Sequence, residues 1–401
     1  MSRDRSATDV VIVGGARTAI GRFGGALANV PAPELGAVAI RAALERSRAD
    51  PALVDEVFMG CVVPAGQGQA PARQAALKAG LPPTVGATTL NKVCGSGLKS
   101  LMLGAAMIRV GDAQCIVAGG MESMDLCPYL LPKARFGYRL GHDTIKDSLV
   151  LDGLWCAFQD HHMGNSAEWI AREFGLARAE LDAWALESHR RAVAATDAGR
   201  FQAEIAPVPV AQPKGAPLLF DTDECPRRDT SPEALARLRP AFQADGVVTA
   251  GNSPGITDGA AATVLMSRSA AQAQGVQSMA RVLGYAQAAV EPLKLFTAPV
   301  TATERLMQRL GSQPADFDLF EINEAFAAQT VANVKALGLD PQRVNVHGGA
   351  IALGHPIGCS GTRVLVTLLY ALRTHGLLRG VAVLCLGGGE AVAMAVELEG
   401  D

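Results

Sequence analysis

The 401-residue chain has no surplus of charge of either sign, with 36 Lys and Arg against 39 Asp and Glu and a net charge of −3 at pH 7. A nearly neutral chain offers no basic field for nucleic acid and no polybasic segment for an anionic membrane. Neither partner is therefore expected, and any phosphate on a ligand must be bound by local groups.

Long hydrophobic runs are also missing. No uncharged apolar stretch reaches about 18 residues, the length that a transmembrane helix needs. The first residues, MSRDRSATDVVIVGG, pass from charged residues directly into a strand-like run, without the apolar core of a secretory signal. We expect a soluble, cytoplasmic protein.

The eight cysteines form no C-x-x-C pair and follow no regular spacing. Neither a disulfide framework nor a zinc site is expected from this arrangement. The thiols should be reduced, so a reactive cysteine is chemically possible. We expect no metal and no permanently bound cofactor.

Apolar residues are plentiful: 49% of the chain is hydrophobic, enough for two or three domain-sized units. Short β-branched runs such as DVVIVGG and AQCIVAGG alternate with Ala- and Leu-rich stretches such as ELGAVAIRAALERSR, which have the length and period of helices. This alternation predicts an α/β fold with mostly buried strands.

Two pairs of similar segments stand at nearly the same separation. VDEVFMG around Asp55 resembles FDLFEIN around Asp318, and CGSG at Ser96 resembles GCSG at Ser360, with offsets of 263 and 264 residues. In both copies the glycine turn leads into a helix-like segment and then into a strand that ends in glycines. Chance would explain one such match, whereas two in register predict an internal duplication.

The segment 125–250 differs from both copies, and its last part is rich in proline. Proline cannot donate to a sheet ladder, so regular sheet is not expected there. The stretches GNSAEWIAREFG and RAELDAWALESHRRAVAATDAG predict helices. We interpret 125–250 as an inserted loop domain that lies over the two halves and binds or covers something.

The stretch NKVCGSGLKS places Cys94 at a glycine turn directly before a predicted helix. A helix N-terminus stabilises a thiolate, so a reactive Cys94 is one interpretation. A small buried residue at a tight turn is the other. This stretch alone does not decide between them.

Three further segments carry groups that would complete a site around a nucleophile. His355, in GHPIGCSG, is either a structural histidine or the partner of Cys94 in nucleophilic catalysis. Cys385 is either a buried strand cysteine or the end of a strand whose following glycines bind an oxyanion. For Asn323, which follows an apolar strand, a helix N-cap is the ordinary explanation.

Taken together, the motifs resemble those of the thiolase family. They occur in order along nearly the whole chain: RTAIGRFGG, NKVCGSGLKS, GGMESM, HHMG, LRPAF, TAGNSPGITDGAA, NEAFAAQ, GGAIALGHPIGCSG and CLGGGEA. The resemblance implies a duplicated five-layer α-β-α-β-α fold with an inserted loop domain. It divides the chain into an N-terminal half of residues 1–124 and 251–276, a CoA-binding loop domain of residues 125–250, and a C-terminal half of residues 277–401.

The resemblance also assigns catalytic roles. It implies that Cys94 is the nucleophile acylated by a CoA thioester and that His355 activates its thiol. Cys385 would remove the α-proton of a second acetyl-CoA. His355 and a water fixed by Asn323 would hold the enolate oxygen, while the N–H groups of Cys94 and Gly387 would hold the tetrahedral intermediate.

For coenzyme A, the resemblance implies five contacts: His162 and Met163 along the pantetheine, Arg227 at the adenine or its phosphate, and Ser253 and Phe326. The chain departs from the family pattern at three positions. Pro254 is expected to remove a serine hydroxyl contact to pantetheine, and Phe296 and Glu390 are expected to touch the acyl pocket.

The resemblance implies CoA-dependent cleavage of 3-ketoacyl-CoA and the reverse Claisen condensation, with acetyl-CoA C-acetyltransferase activity expected. A broader-chain degradative 3-ketoacyl-CoA thiolase is the near alternative. A non-catalytic acyl-CoA or lipid carrier is disfavoured because Cys94, His355 and Cys385 are all present, and a decarboxylating ketoacyl synthase would have a histidine at NEAF. The expected partners are small acyl-CoA substrates and copies of this chain in a homodimer or homotetramer.

Overall fold

The computed structural model describes residues 9–399. The strands are β1 (Val10–Thr18), β2 (Gly21–Arg22), β3 (Glu56–Gly60), β4 (Gly86–Leu90), β5 (Cys115–Ser123), β6 (Tyr129–Leu130), β7 (Lys146–Asp147), β8 (Trp155–Cys156), β9 (His161–His162), β10 (Ile205–Ala206), β11 (Val208–Val210), β12 (Leu218–Phe220), β13 (Thr257–Ser267), β14 (Ala280–Ala289), β15 (Leu319–Ile322), β16 (Arg379–Leu386) and β17 (Glu390–Leu398). The α-helices are α1 (Ala32–Ser47), α2 (Pro71–Lys78), α3 (Ser96–Val110), α4 (Met163–Glu173), α5 (Arg178–Asp197), α6 (Pro232–Ala236), α7 (Arg268–Ala273), α8 (Ala298–Leu310), α9 (Ala327–Ala336), α10 (Ala350–Leu353) and α11 (Ser360–His375).

The main sheet is mixed, with the strand order β15-β16-β17-β14-β1-β13-β5-β3-β4, and with β10 beside β1 and β2 beside β13. Its two halves meet where Val11 and Ile12 of β1 pair with Arg281 and Ala280 of β14. Helices α1 and α2 pack on the first half, α8 packs on the second, and α3 and α11 lie between them. The layers therefore follow the order α-β-α-β-α, which confirms the expected fold.

The duplicated segments adopt matching elements. The two matched serines, Ser96 and Ser360, begin the central helices α3 and α11. A Cβ on Gly97 would lie 2.7 Å from a backbone nitrogen of α11, and a Cβ on Gly361 would lie 2.2 Å from one of α3. Glycine is needed at both positions because the central helices meet at their N-terminal ends, and this contact places the two glycine turns side by side.

The segment 125–250 contains the predicted helices as α4 and α5. The prediction that its proline-rich part has no regular sheet is wrong at two short places. Strand β10 runs parallel to β1 in the main sheet, and β11 pairs with β12 in a two-stranded ribbon. The ribbon tolerates Pro209 because a two-stranded ribbon has free edges, where a missing N–H costs little.

The stretch Val93–Val110, which includes α3, has the length and hydropathy of a helix that crosses a membrane. Its side chains Leu98, Leu101 and Ile108 are buried in the core instead. Burial of each such side chain contributes roughly 1.5–3 kcal/mol to stability. Its apolar character is therefore that of a core helix between the two halves of the main sheet.

Candidate active site

Cys94 lies in a tight turn between β4 and α3. The preceding residue, Val93, has a left-handed backbone with φ 46°. Two side chains hold this turn: Asn91 Oδ1 accepts from the Val93 N–H at 3.0 Å, and Ser96 Oγ accepts from the Lys92 N–H at 2.8 Å. A β-branched residue in this region costs on the order of 1–3 kcal/mol, so the surrounding contacts must impose the conformation.

The Cys94 thiol is protonated at neutral pH. Burial raises its pKa to about 11, although the N–H groups of Gly387 and of Cys94 itself hydrogen-bond to the sulfur and lower it. The backbone N–H groups act in the direction expected of the helix N-terminus, but desolvation outweighs them in the free protein. The two N–H groups do converge at the sulfur, where an oxyanion hole would be needed.

His355 is buried and held in one tautomer. Its Nδ1 lies 2.6 Å from Ser360 Oγ, and Ser360 donates its hydroxyl hydrogen to the Pro356 carbonyl at 2.9 Å. Because a hydroxyl has one hydrogen, Nδ1 must be the protonated nitrogen and Nε2 carries the lone pair. Burial, and to a smaller degree Arg363, lowers the pKa of His355 to about 3. The ring is neutral at pH 7, and its Nε2 is free to accept a proton.

Asn323 is directed at this histidine. Its Nδ2 lies 3.4 Å from His355 Nε2. The N-cap interpretation is wrong, because α9 begins only at Ala327 and Phe326 occupies the cap position. Within residues 9–399, the buried Oδ1 of Asn323 has no hydrogen-bond partner. A buried amide oxygen of this kind calls for a donor from water or ligand.

Cys385 lies in β16, one residue before that strand ends. Burial, followed by the neighbouring charge of a Cys94 thiolate, raises the pKa of Cys385 well above its ordinary value. The turn that follows needs glycine: Gly389 has φ 90°, and a Cβ there would lie 2.5 Å from the Val290 carbonyl oxygen. This turn brings the N–H of Gly387 to the Cys94 sulfur.

One cleft contains eight of the ten predicted site residues: Cys94, His162, Met163, Ser253, Phe326, His355, Cys385 and Gly387. Asn323 is not among the lining residues, but its Nδ2 contacts His355, which lines the cleft. Arg227 does not line it. Its side chain is exposed, and its backbone N–H donates to His189 Nδ1 at 3.1 Å.

Aromatic rings form the wall of the cleft on the side of the loop domain. His162 Nδ1 accepts from the Gly164 N–H at 3.0 Å and so caps α4, while its ring stacks on Phe242 with centroids 4.8 Å apart. Phe326 packs edge-on against Phe242 and against Phe296, at 6.1 and 5.6 Å. The sequence analysis did not name Phe242 as a site residue, although Phe242 is the last residue of the motif LRPAF. The cleft wall is therefore rigid and apolar.

The three departures from the family pattern differ in position. Pro254 and Phe296 line the cleft, whereas Glu390 does not. The expectation that Glu390 touches the acyl pocket is wrong, because its carboxylate forms an ion pair with Lys92. The hydroxyl of Ser253 donates to the Thr249 carbonyl at 2.7 Å, so its hydrogen is already engaged.

Two buried carboxylates, those of Glu122 and Glu324, were not predicted from the sequence. Glu122, in GGMESM, accepts hydrogen bonds from the N–H groups of Val62, Val63 and Gly358 at 2.9, 3.1 and 2.8 Å. It thereby ties a loop of the first half to the turn that follows His355. A charged residue inside an apolar, glycine-rich strand was the available signal, since such a residue is rarely buried without partners.

Glu324, the residue after Asn323, is the second of these carboxylates. It is 1% exposed and accepts four hydrogen bonds, from Trp184 Nε1 at 2.9 Å, Ser188 Oγ at 2.8 Å, Asn345 Nδ2 at 3.0 Å and the Ile351 N–H at 3.0 Å. These partners join α5 to the loop that leads to His355. Glu324 therefore positions neighbouring segments without lining the cleft.

We expect Glu324→Gln to lower the free energy of unfolding by about 3 kcal/mol, because the new amide group faces donors and leaves at least one of them unpaired. Urea denaturation measures this change. Glu180→Gln is the control: Glu180 lies in α5, its side chain is 38% exposed, and it pairs with Lys335 at 2.7 Å, so its effect should stay within about 0.5 kcal/mol. Equal effects of the two substitutions would contradict the role given to Glu324.

Within residues 9–399, no group of three or more His, Cys, Asp or Glu side chains is arranged to hold a metal ion.

Known proteins resemble the chain over nearly its full length. The family description "Thiolase, N-terminal domain" matches residues 10–269, and "Thiolase, C-terminal domain" matches residues 276–398. An acetyl-CoA acetyltransferase of Pseudomonas aeruginosa is 56% identical over 97% of this chain and 99% of its own, and one of Escherichia coli is 54% identical over 96% and 98%. The crystal structure of the Bacillus anthracis acetyl-CoA acetyltransferase superposes with a TM-score of 0.95 at 41% identity, covering 98% of this chain and 99% of that one. The chain belongs to the thiolase family.

Proposed function

We propose that this thiolase is an acetyl-CoA C-acetyltransferase, which condenses two acetyl-CoA molecules to acetoacetyl-CoA and catalyses the reverse cleavage through an acetyl-cysteine. The observation that carries the proposal is the single cleft that contains Cys94, His355, Cys385 and Gly387. The names of relatives that are 54–56% identical support the choice of substrate.

In the first step, Nε2 of His355 accepts the Cys94 proton while the sulfur attacks the thioester carbon. The electron pair of the carbonyl moves to its oxygen, which the N–H groups of Cys94 and Gly387 bind. Collapse of this intermediate expels the CoA thiolate, and the proton from His355 neutralises it. A neutral histidine beside a protonated thiol suits this order, since the thiol loses its proton only as the carbon–sulfur bond forms.

In the second step, Cys385 acts in its thiolate form: it takes a proton from the methyl group of a second acetyl-CoA and becomes the neutral thiol. The enolate oxygen lies against His355 and a water that Asn323 orients, which would also satisfy the unpaired Oδ1 of Asn323. The enolate carbon then attacks the acetyl carbonyl on Cys94, the carbon–sulfur bond breaks, and the released Cys94 thiolate takes up the proton that Cys385 removed. Acetylation removes the ionisable thiol of Cys94, so no second negative charge can form beside the Cys385 thiolate.

For CoA itself, we propose that the pantetheine lies along His162, Met163 and Phe326, with Ser253 beside it. The exposed Arg227 would contact the adenine or its phosphate outside the cleft. We also propose three domains. The N-terminal half comprises residues 1–124 and 251–276, the loop domain comprises residues 125–250, and the C-terminal half comprises residues 277–401. The proposal also includes a homodimer or homotetramer in the cytoplasm that needs no permanently bound cofactor.

The direct test is CoA-dependent cleavage of 3-ketoacyl-CoA substrates of increasing acyl length. We expect kcat/KM to be highest for acetoacetyl-CoA and to fall for longer chains. A profile that stays flat to long chains would favour the broader-chain degradative thiolase instead. Absence of cleavage with every substrate would overturn the proposal.

Phe296 is the residue for which the chain-length argument can be tested. Its ring is 3% exposed, lines the cleft and packs edge-on against Phe326. We expect Phe296→Ala to raise the kcat/KM ratio of a six-carbon substrate over acetoacetyl-CoA by roughly tenfold, the scale that one or two methylene groups contribute in an apolar pocket. An unchanged ratio would show that the ring does not limit acyl length.

A further inference from the structure

A second cavity lies between α5 and the C-terminal half of the chain. Its volume is about 880 Å³, within the range of small-molecule sites, and it shares no residue with the catalytic cleft. Six of its lining residues are arginine or histidine: Arg190, Arg191, Arg200, Arg343, His347 and His375. We refer to it as the α5 cavity.

One buried polar atom in the α5 cavity lacks a partner. His347 is 3% exposed, and within residues 9–399 its Nδ1 makes no hydrogen bond. Its Nε2 lies 3.3 Å from Nε2 of His375. A buried ring nitrogen without a partner is costly, so His347 is a polar group of the cavity wall that is not fully satisfied.

The acidic side chains of the cavity are already engaged. Glu187 pairs with Arg190 and Arg191 at 2.6 and 2.7 Å. The carboxylate of Asp318 accepts two backbone N–H groups, from Leu378 and Arg379, at 3.0 and 2.8 Å. Neither carboxylate is therefore left to neutralise the other cations.

The side chain of Arg200 is paired with neither of these two carboxylates. Its guanidinium is exposed at the cavity and has no hydrogen bond or ion pair within the described part of the chain. Burial, followed by His375 and Arg200, lowers the pKa of His347 to about 4. Burial disfavours any charge on this ring, whereas the contributions of His375 and Arg200 agree with the excess of arginine and histidine among the lining residues.

We propose that the α5 cavity is a binding site for a phosphate group, carried either by inorganic phosphate or by a phosphate monoester. A guanidinium fork and imidazole nitrogens match the oxygens of a phosphate in geometry and charge. Arg200 supplies the free charge, and the exposed ring of His375, which His347 contacts through Nε2, supplies a directional contact. This assignment does not depend on the function of the catalytic cleft.

Isothermal titration of the full-length protein with inorganic phosphate, and separately with ribose 5-phosphate, tests the site. We expect saturable binding of at least one probe below about 10 mM. Tighter binding of ribose 5-phosphate would assign a phosphate ester, and tighter binding of inorganic phosphate would assign the free anion. Failure of both probes to saturate would overturn the proposal.

Arg200→Ala and His375→Asn provide the mutational test, since both residues are exposed and can change without loss of the fold. Arg200→Ala should weaken binding about tenfold, as expected for a charge-assisted contact, and His375→Asn should weaken it less. Arg139→Ala is the control, because Arg139 is an exposed arginine outside the cavity. Equal weakening by Arg139→Ala would overturn the site in favour of general charge attraction. Cleavage of acetoacetyl-CoA should be unchanged in Arg200→Ala.

Discussion

Cys94→Ser should abolish both acetyl transfer from acetyl-CoA and cleavage of acetoacetyl-CoA, with a loss on the order of 10⁴-fold or more, the scale seen when a covalent nucleophile is removed. A serine hydroxyl is a far weaker acid than a thiol, and the pKa of His355, lowered to about 3 by burial, makes this histidine a weak base. The pair can deprotonate a thiol as it attacks, but it cannot activate an alcohol. Steady-state cleavage kinetics measure the loss.

Peptide mass mapping after brief incubation with acetyl-CoA identifies the nucleophile directly. The wild-type protein should carry one acetyl group, on Cys94, and Cys94→Ser should carry none. Cys225→Ser is the matched control: Cys225 is a free, partly buried cysteine outside the cleft, so this variant should keep both label and activity. A wild-type label on Cys385, or on no cysteine, would disprove the assignment.

Cys385→Ser should separate the two steps. Capture of the acetyl group requires no α-proton to be removed, so this variant should still be acetylated on Cys94. Condensation should fall by about 10²–10⁴-fold, the usual cost of losing a general base. Serine keeps the shape of the side chain, and its hydroxyl is too weak an acid to supply the base near neutral pH.

Exchange of the methyl hydrogens of acetyl-CoA in D₂O reports the base without the condensation step. The wild-type protein should incorporate deuterium, and Cys385→Ser should do so at a rate lower by a similar factor. Exchange at the wild-type rate would mean that another group removes the proton. Cys385 would then be only a buried cysteine of β16.

Local patterns in the sequence were sufficient for much of the fold. The spacing of apolar residues in ELGAVAIRAALERSR corresponds to α1, and the two glycine turns in register correspond to the starts of α3 and α11. Such features depend on residues a few positions apart, whose helical or extended preference acts wherever the segment lies. The resemblance carried by the ordered motifs also predicted the five-layer arrangement and the family.

The sequence by itself therefore determined the α/β class, the duplication and which thiols and imidazole to consider. Only the tertiary structure decided that Asn323 faces His355 instead of capping α9, that Glu390 pairs with Lys92, and that burial keeps Cys94 protonated. Each of these depends on groups far apart in the chain that meet through packing. Desolvation and hydrogen-bond partners belong to that assembled environment, and no local pattern of residues contains them.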